Sequence, residues 1–209
     1  FKAESLPTSE DSPLARSSRR RKIRRGKLPA PGERSPVVVV GADVQKKTLY
    51  VQELSVQDEL LSTMKALNRA VVEEPQPPDL CAPGPFVAAL REEDSTWYRA
   101  RVHDVLDGGV HGAAQKGGSA RVFYLDYGHW GTVPLDGLRR LPERFLDPRA
   151  FAVPVVLHAV AGLPSRAAAS LQGKVLGAEV VVDERPQQVA LFTVDDNECL
   201  NDVLGNLGR

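Results

Sequence analysis

Residues 83–140 most constrain the fold, because they offer only short β-like segments broken by charged or Gly-rich connections. The segments are Phe86–Leu90, Trp97–Val105, Arg121–Asp126 and His129–Pro134. The connections are Arg91–Thr96, Leu106–Ala120 and a tight corner at Tyr127–Gly128. Four or five short antiparallel strands in so few residues point to a small barrel, which removes exposed edges by closing on itself.

The flanks read differently. Val37–Val40 is a β-branched run and predicts a buried strand, with a second strand over Thr48–Leu54. Ser55 is the expected N-cap of a helix, with Asp58 reaching back to it. Leu60, Met64, Leu67 and Val71 recur on one helical face and are expected to pack in the core. Pro75, Pro77 and Pro78 end that helix. Further strands are predicted over Phe151–Val160, Glu179–Asp183 and Gln188–Val194. A short helix is predicted over Arg166–Leu171 and a last one up to Leu207.

Charge is unevenly spread. The chain carries 27 basic and 27 acidic residues, but residues 1–36 hold ten of the first and four of the second. A basic tail of net charge +6 therefore precedes a body of −6. Rich in Ser, Pro and Arg, residues 1–36 are expected to be disordered, because they bury too little apolar surface to offset ordering entropy. Their basic run (Arg19, Arg20, Arg21, Lys22, Arg24, Arg25, Lys27) is expected to act as a linker, a nuclear-import signal or a weak RNA contact. The acidic body suits a cationic peptide better than a phosphate backbone. No apolar run approaches a membrane span and the basic start is not followed by an apolar stretch, so neither membrane nor signal peptide is expected. Cys81 and Cys199 alone build neither a zinc site nor a disulfide framework, and the expected compartment is reducing. The start and the end at Arg209 are those expected of a piece of a larger protein.

Two segments carry the functional signal: Trp97-Tyr98-Arg99-Ala100-Arg101-Val102 and Val122-Phe123-Tyr124-Leu125-Asp126-Tyr127-Gly128. Strand alternation puts Tyr98, Ala100 and Val102 on one face and Trp97, Arg99 and Arg101 on the other. Gly128 permits a turn that brings Tyr127 beside Tyr124. Three of the four tyrosines can thus gather at one barrel end. Ring faces attract a flat or quaternary cation, at roughly 0.5–2 kcal/mol per contact. Methylation of a guanidinium keeps the charge while removing donors, which suits rings better than a carboxylate. The same rings could instead simply fill a barrel. Glu92, Glu93 and Asp94 lie in the adjoining loop, either as a solvated turn or as an attraction for basic peptides.

These segments resemble the core signature of Tudor domains, of the form W-Y-R-A-x-V and V-x-F/Y-x-D-Y-G. The flanks extend the resemblance over residues 36–209 to an extended Tudor domain. They are Val37–Gln52, the Ser55–Val72 helix, Val189-Ala190-Leu191-Phe192 and Leu200-Asn201-Asp202-Val203-Leu204. The resemblance implies a mainly β, α+β fold, with an SH3-like Tudor β-barrel inserted in a staphylococcal nuclease-like, OB-type subdomain. The expected divisions are a tail at 1–36, the first nuclease-like part and linking helix at 37–82, the Tudor barrel at 83–145, and the rest at 146–209.

It further implies a reader of arginine, often symmetrically dimethylated, in Arg-rich tails of Piwi-class or spliceosomal Sm proteins. Such a module needs no cofactor or metal, and is expected to be monomeric and cytoplasmic in ribonucleoprotein granules of the piRNA pathway. By similarity, Tyr98, Tyr124 and Tyr127 match cage walls, and Arg99 with Asp126 the supporting ion pair. Leu90 stands where the family usually has an aromatic wall. His129 stands where it usually has the Asn that orients the guanidinium; neutral, His129 can still accept a hydrogen bond. Trp130 is a candidate substitute ring. The alternatives are an unmethylated arginine ligand, or an RNA scaffold using the basic tail. A nuclease would need Asp195, Asp196 and Glu198 joined by basic groups, which the sequence does not supply, so catalysis is not expected.

Overall fold

A computed structural model describes residues 23–75, 84–106 and 118–206. They form two five-stranded β units, one threaded through the other. The outer unit consists of β1 (Arg34–Asp43), β2 (Thr48–Glu53), β8 (Val153–Leu157), β9 (Val175–Val182) and β10 (Gln187–Phe192). It closes into a barrel in the order β1-β2-β8-β10-β9, with β8 and β10 parallel and the other described pairs antiparallel. That is the strand order of an OB-fold. Period-2 alternation turns Val37, Val39, Leu49, Val51, Val155, Val189 and Leu191 inward, each essentially inaccessible. The short helix α2 (Ser165–Leu171) covers this core with Ala167, Ala168 and Leu171.

The inner unit enters between β2 and β8. Its strands are β3 (Phe86–Arg91), β4 (Thr96–Leu106), β5 (Ser119–Tyr124), β6 (His129–Pro134) and β7 (Leu138–Arg140), in the SH3-like order β6-β5-β4-β3-β7. All their described pairings are antiparallel. Sequence periodicity does not reveal β7, since three residues are too few to show a period. A last helix, α3 (Leu200–Asn206), packs against β10, where the Asn201 amide bonds the backbone of Val189 and Leu191.

Helix α1 (Gln57–Ala70) buries Leu60, Met64 and Leu67, and Val71 follows, buried, in a 3-10 turn, as the spacing predicts. Its start departs from expectation. The chain enters through a 3-10 turn at Leu54–Val56, and the position preceding the helix is Val56. Ser55 instead bonds the carboxylate of Glu53 (3.0 Å), leaving no side-chain cap. Asn68 ties the helix to β4: its amide accepts from Trp97 N–H (2.8 Å) and donates to Trp97 C=O (2.9 Å).

The disorder expected over residues 1–36 does not hold for 23–36; residues 1–22 lie outside the described residues. Ile23 and Leu28 are buried, at 8% and 2% exposure. Arg24 C=O accepts from Ala150 N–H (2.8 Å), and Leu28 exchanges hydrogen bonds with the buried Gln187 amide (2.9 and 3.3 Å). Lys27 meets Asp183 at 2.7 Å. Average composition misses this because the ordering comes from two apolar anchors and backbone bonds to partners over a hundred residues away.

Candidate functional site

The site rests on a buried ion pair. Arg99 is fully buried on β4 and Asp126 nearly so, in the turn after β5. Arg99 Nε and Nη2 donate to the two carboxylate oxygens at 2.9 and 2.6 Å. Its remaining donors reach the carbonyls of Phe145 (3.0 Å), Pro148 (2.7 Å) and Arg149 (2.9 Å). All five N–H groups are therefore used, which a buried guanidinium requires. Asp126 also accepts from Phe151 N–H (3.1 Å), and its carbonyl accepts from the Gln52 amide of β2.

This anchoring fixes the turn that carries Tyr127. Gly128 has φ +66°, and a Cβ there would collide with Cβ of Tyr50. Only glycine satisfies both demands. The turn thus sits flat on β2, and Tyr127 is directed at the inner unit.

Four of the sequence-predicted residues converge. Tyr98 and Tyr124 meet edge to face with centroids 5.6 Å apart, and Tyr98 and Tyr127 at 5.1 Å. His129 lies 4.9 Å from Tyr124 and 6.3 Å from Tyr127. Tyr98 and Tyr124 are buried, at 8% and 3% exposure, while Tyr127 and His129 are half-buried. The cluster is open at one edge only, at Tyr124 and His129; Tyr98 and Tyr127 lie behind them and do not border the opening. A cavity of about 330 Å³ opens against Tyr124 and His129, bordered by Leu90, Arg91, Glu92 and Glu93. That is the small end of ligand pockets, enough for one side chain rather than a large cofactor.

Trp130 borders the same cavity, but its ring belongs to another cluster. It packs on Phe123 (5.0 Å) and edge-on to His103 (5.0 Å), with the Arg121 guanidinium 4.8 Å from its centroid. Adjacent residues on β6 face opposite ways, so His129 and Trp130 cannot both join the tyrosines.

The rim is organised by Asp94, which accepts from the Tyr98 hydroxyl and from Arg91 Nη2, both at 2.6 Å. Thr96 N–H also reaches Asp94, at 3.2 Å. Burial opposes ionisation of Asp94, but these bonds outweigh it and hold its carboxyl below the usual range. Burial, then the bond to Asp94, raises the Tyr98 phenol well above its ordinary value. Burial pushes Tyr124 up to about 12 and raises Tyr127. Burial also lowers the pKa of His129, so its imidazole is neutral at pH 7. The pocket wall is therefore neutral phenol and imidazole, and its rim anionic.

Comparison with known proteins places this arrangement. Residues 29–159 match the model of the Tudor domain family, well over half of the chain. The chain belongs to the Tudor domain family. It is 30% identical over 126 residues to Staphylococcal nuclease domain-containing protein 1 of Drosophila melanogaster, a match taking in 59% of this chain and 12% of that protein. The fold is that of an extended Tudor domain. It is similar to domain TD3 of mouse TDRD1, solved with a MILI peptide containing dimethylarginine 45. There the TM-score is 0.73, with 20% identity over 90% of this chain and 96% of that one. The human TDRD1 extended Tudor domain, solved with a symmetrically dimethylated peptide, gives 0.70, with 23% identity over 89% and 94%. The chain spans from 3% to 14% of the length of the curated relatives it matches.

One residue of this Tudor domain escapes sequence reasoning. Arg91 follows Leu90 at the end of β3 and reads as a solvated turn cation, yet its guanidinium lies 5.2 Å from the Tyr98 centroid. The available signal was Asp94 three residues on, the spacing that closes a tight turn into an ion pair.

Proposed function

We propose that this domain is a non-catalytic binding module that holds one arginine side chain of a partner's Arg-rich segment against Tyr98, Tyr124, Tyr127 and His129. One observation carries the reading: Tyr124 and His129, at the edge of the neutral ring cluster, line a side-chain-sized cavity open to solvent whose rim carries Glu92 and Glu93. Rings attract the cation, the acidic rim favours its approach, and neutral His129 can accept one guanidinium N–H. The dimethylated peptides in the similar TDRD1 structures support symmetric dimethylation of the ligand. Leu90 in place of an aromatic wall leaves one side of the cage aliphatic, so unmethylated arginine is retained as a ligand too. A Piwi-class tail is the favoured partner, and cytoplasmic ribonucleoprotein granules the favoured setting.

The test is calorimetric titration with an Arg-Gly repeat peptide, unmethylated and symmetrically dimethylated. Tyr127→Ala is expected to weaken binding by roughly 2- to 30-fold, the range that loss of one ring contact worth about 0.5–2 kcal/mol implies. Equal affinity of wild type and variant would exclude the ring cluster as the binding site.

A further inference from the structure

The ring cluster already contains a guanidinium. Arg91 Cζ lies 5.2 Å from the Tyr98 centroid, Nη2 is 2.6 Å from Asp94, and Nε is 3.8 Å from Glu93. Its Nε–H is buried without a hydrogen-bond acceptor. Arg91 also borders the cavity beside Tyr124 and His129. Its charge acts on Tyr98, Tyr124, Tyr127 and His129 alike, favouring the less positive form of each. A planar cation held between the Tyr98 ring and the carboxylates of Glu93 and Asp94 is what an arginine ligand would itself adopt here. Two guanidinium groups cannot share one ring face and one Asp94 oxygen, because like charges repel in a poorly solvated site.

We propose that Arg91 is a ligand mimic in cis: it occupies the Tyr98 face of the ring cluster in the free domain, beside the open cavity, and a partner's arginine takes that face by displacing it. This rests on the reading that the site takes arginine. Displacement is an exchange of equals, since Glu93 and Asp94 released by Arg91 become available to the incoming cation. The buried Nε–H gains a hydrogen-bond partner in water, and with its side chain one-third exposed Arg91 has a short way out to solvent. Arg91 is thereby specificity-determining. A tethered competitor is present at high effective concentration, so an isolated arginine competes poorly. A segment with several arginines adds contacts to Glu92 and Glu93 that Arg91 cannot supply alone.

Two measurements on the whole chain test this. In NMR spectra of isotope-labelled protein, the Arg91 Nε–H and δ protons are expected to be shifted by the rings and to exchange slowly. Adding symmetrically dimethylated Arg-Gly peptide should return them to the positions of a solvated arginine. In calorimetry with the same peptide, Arg91→Ala is expected to bind roughly tenfold more tightly, as follows if the Tyr98 face is free of Arg91 about a tenth of the time. Arg91→Gln should behave alike, and thermal melts check that both variants fold. Solvent-like Arg91 signals in the free domain overturn the proposal, as does binding by both variants no tighter than wild type. Ring-shifted Arg91 signals with no peptide binding by any of the proteins uphold the cis occupancy and overturn the arginine-reader function instead.

Discussion

Gly131 decides where Tyr124 lies. A Cβ at 131 would come 2.6 Å from Cε2 of that ring, so the missing side chain is what lets the phenol settle over β6 and wall the cavity. His129, two residues earlier on the same strand, supplies the other wall, and its protonation controls the sign of the pocket. Burial lowers its pKa below the ordinary 6.5. The folded state thus favours neutral imidazole: its contribution to stability is full above 6.5 and is lost as pH falls through the lowered value. Binding of a cation should follow the same course. Affinity for an arginine peptide is expected to be flat from about pH 8 to about pH 6.5 and to fall at more acid pH. His129→Asn should flatten the acid fall, as titrations across that range would show. An affinity already falling between pH 8 and 7 in wild type would contradict the neutral histidine. At this scale the sequence was informative for Tyr98, Tyr124, Tyr127 and His129, whose spacing carries them to one place. It was uninformative for Arg91, because a charged residue in a turn looks the same whether its head is in water or over a ring.

At the scale of elements, alternation and helical spacing made β1 to β6, β8 and α1 legible, because each buries one face of a period. The ends were less so. Ser55 was a plausible cap by type, but the 3-10 turn displaced the helix start beyond it. The packing of Ile23 to Leu28 was hidden because it depends on Gln187 and Ala150, which no local window contains. Asn68 shows what joins elements here: its side chain acts as a one-residue β-partner for Trp97. Asn68→Ala should cost about 1–3 kcal/mol, the penalty for stranding part-buried backbone groups. Chemical denaturation measures the loss, and hydrogen exchange at the Trp97 amide should accelerate with it. An unchanged exchange rate there would show that Asn68 is dispensable to the α1–β4 junction.

For the molecule as a whole, Asp126 is where the two β units are fastened together. It receives Arg99 from β4, Phe151 from the segment returning to the OB-type barrel, and through its carbonyl Gln52 from β2. Asp126→Asn leaves the Arg99 charge buried without its counter-ion and is expected to cost about 3–5 kcal/mol in urea unfolding. A single-variant loss below about 1 kcal/mol, the range of a solvent-exposed pair, would show the pair to be incidental.

The threading of one unit through the other also sets an order of events during synthesis. Val51 of β2 pairs with Val153 of β8, about a hundred residues later. A nascent chain leaving the ribosome therefore carries the whole SH3-like sheet before the outer barrel can close. Each strand of that sheet has its neighbour within reach, apart from the late β3–β7 contact. Once assembled, the sheet shortens the span between β2 and β8 from a long floppy loop to two nearby stubs, reducing the entropy lost on closure. The SH3-like unit is in this sense the scaffold on which its own host barrel is completed.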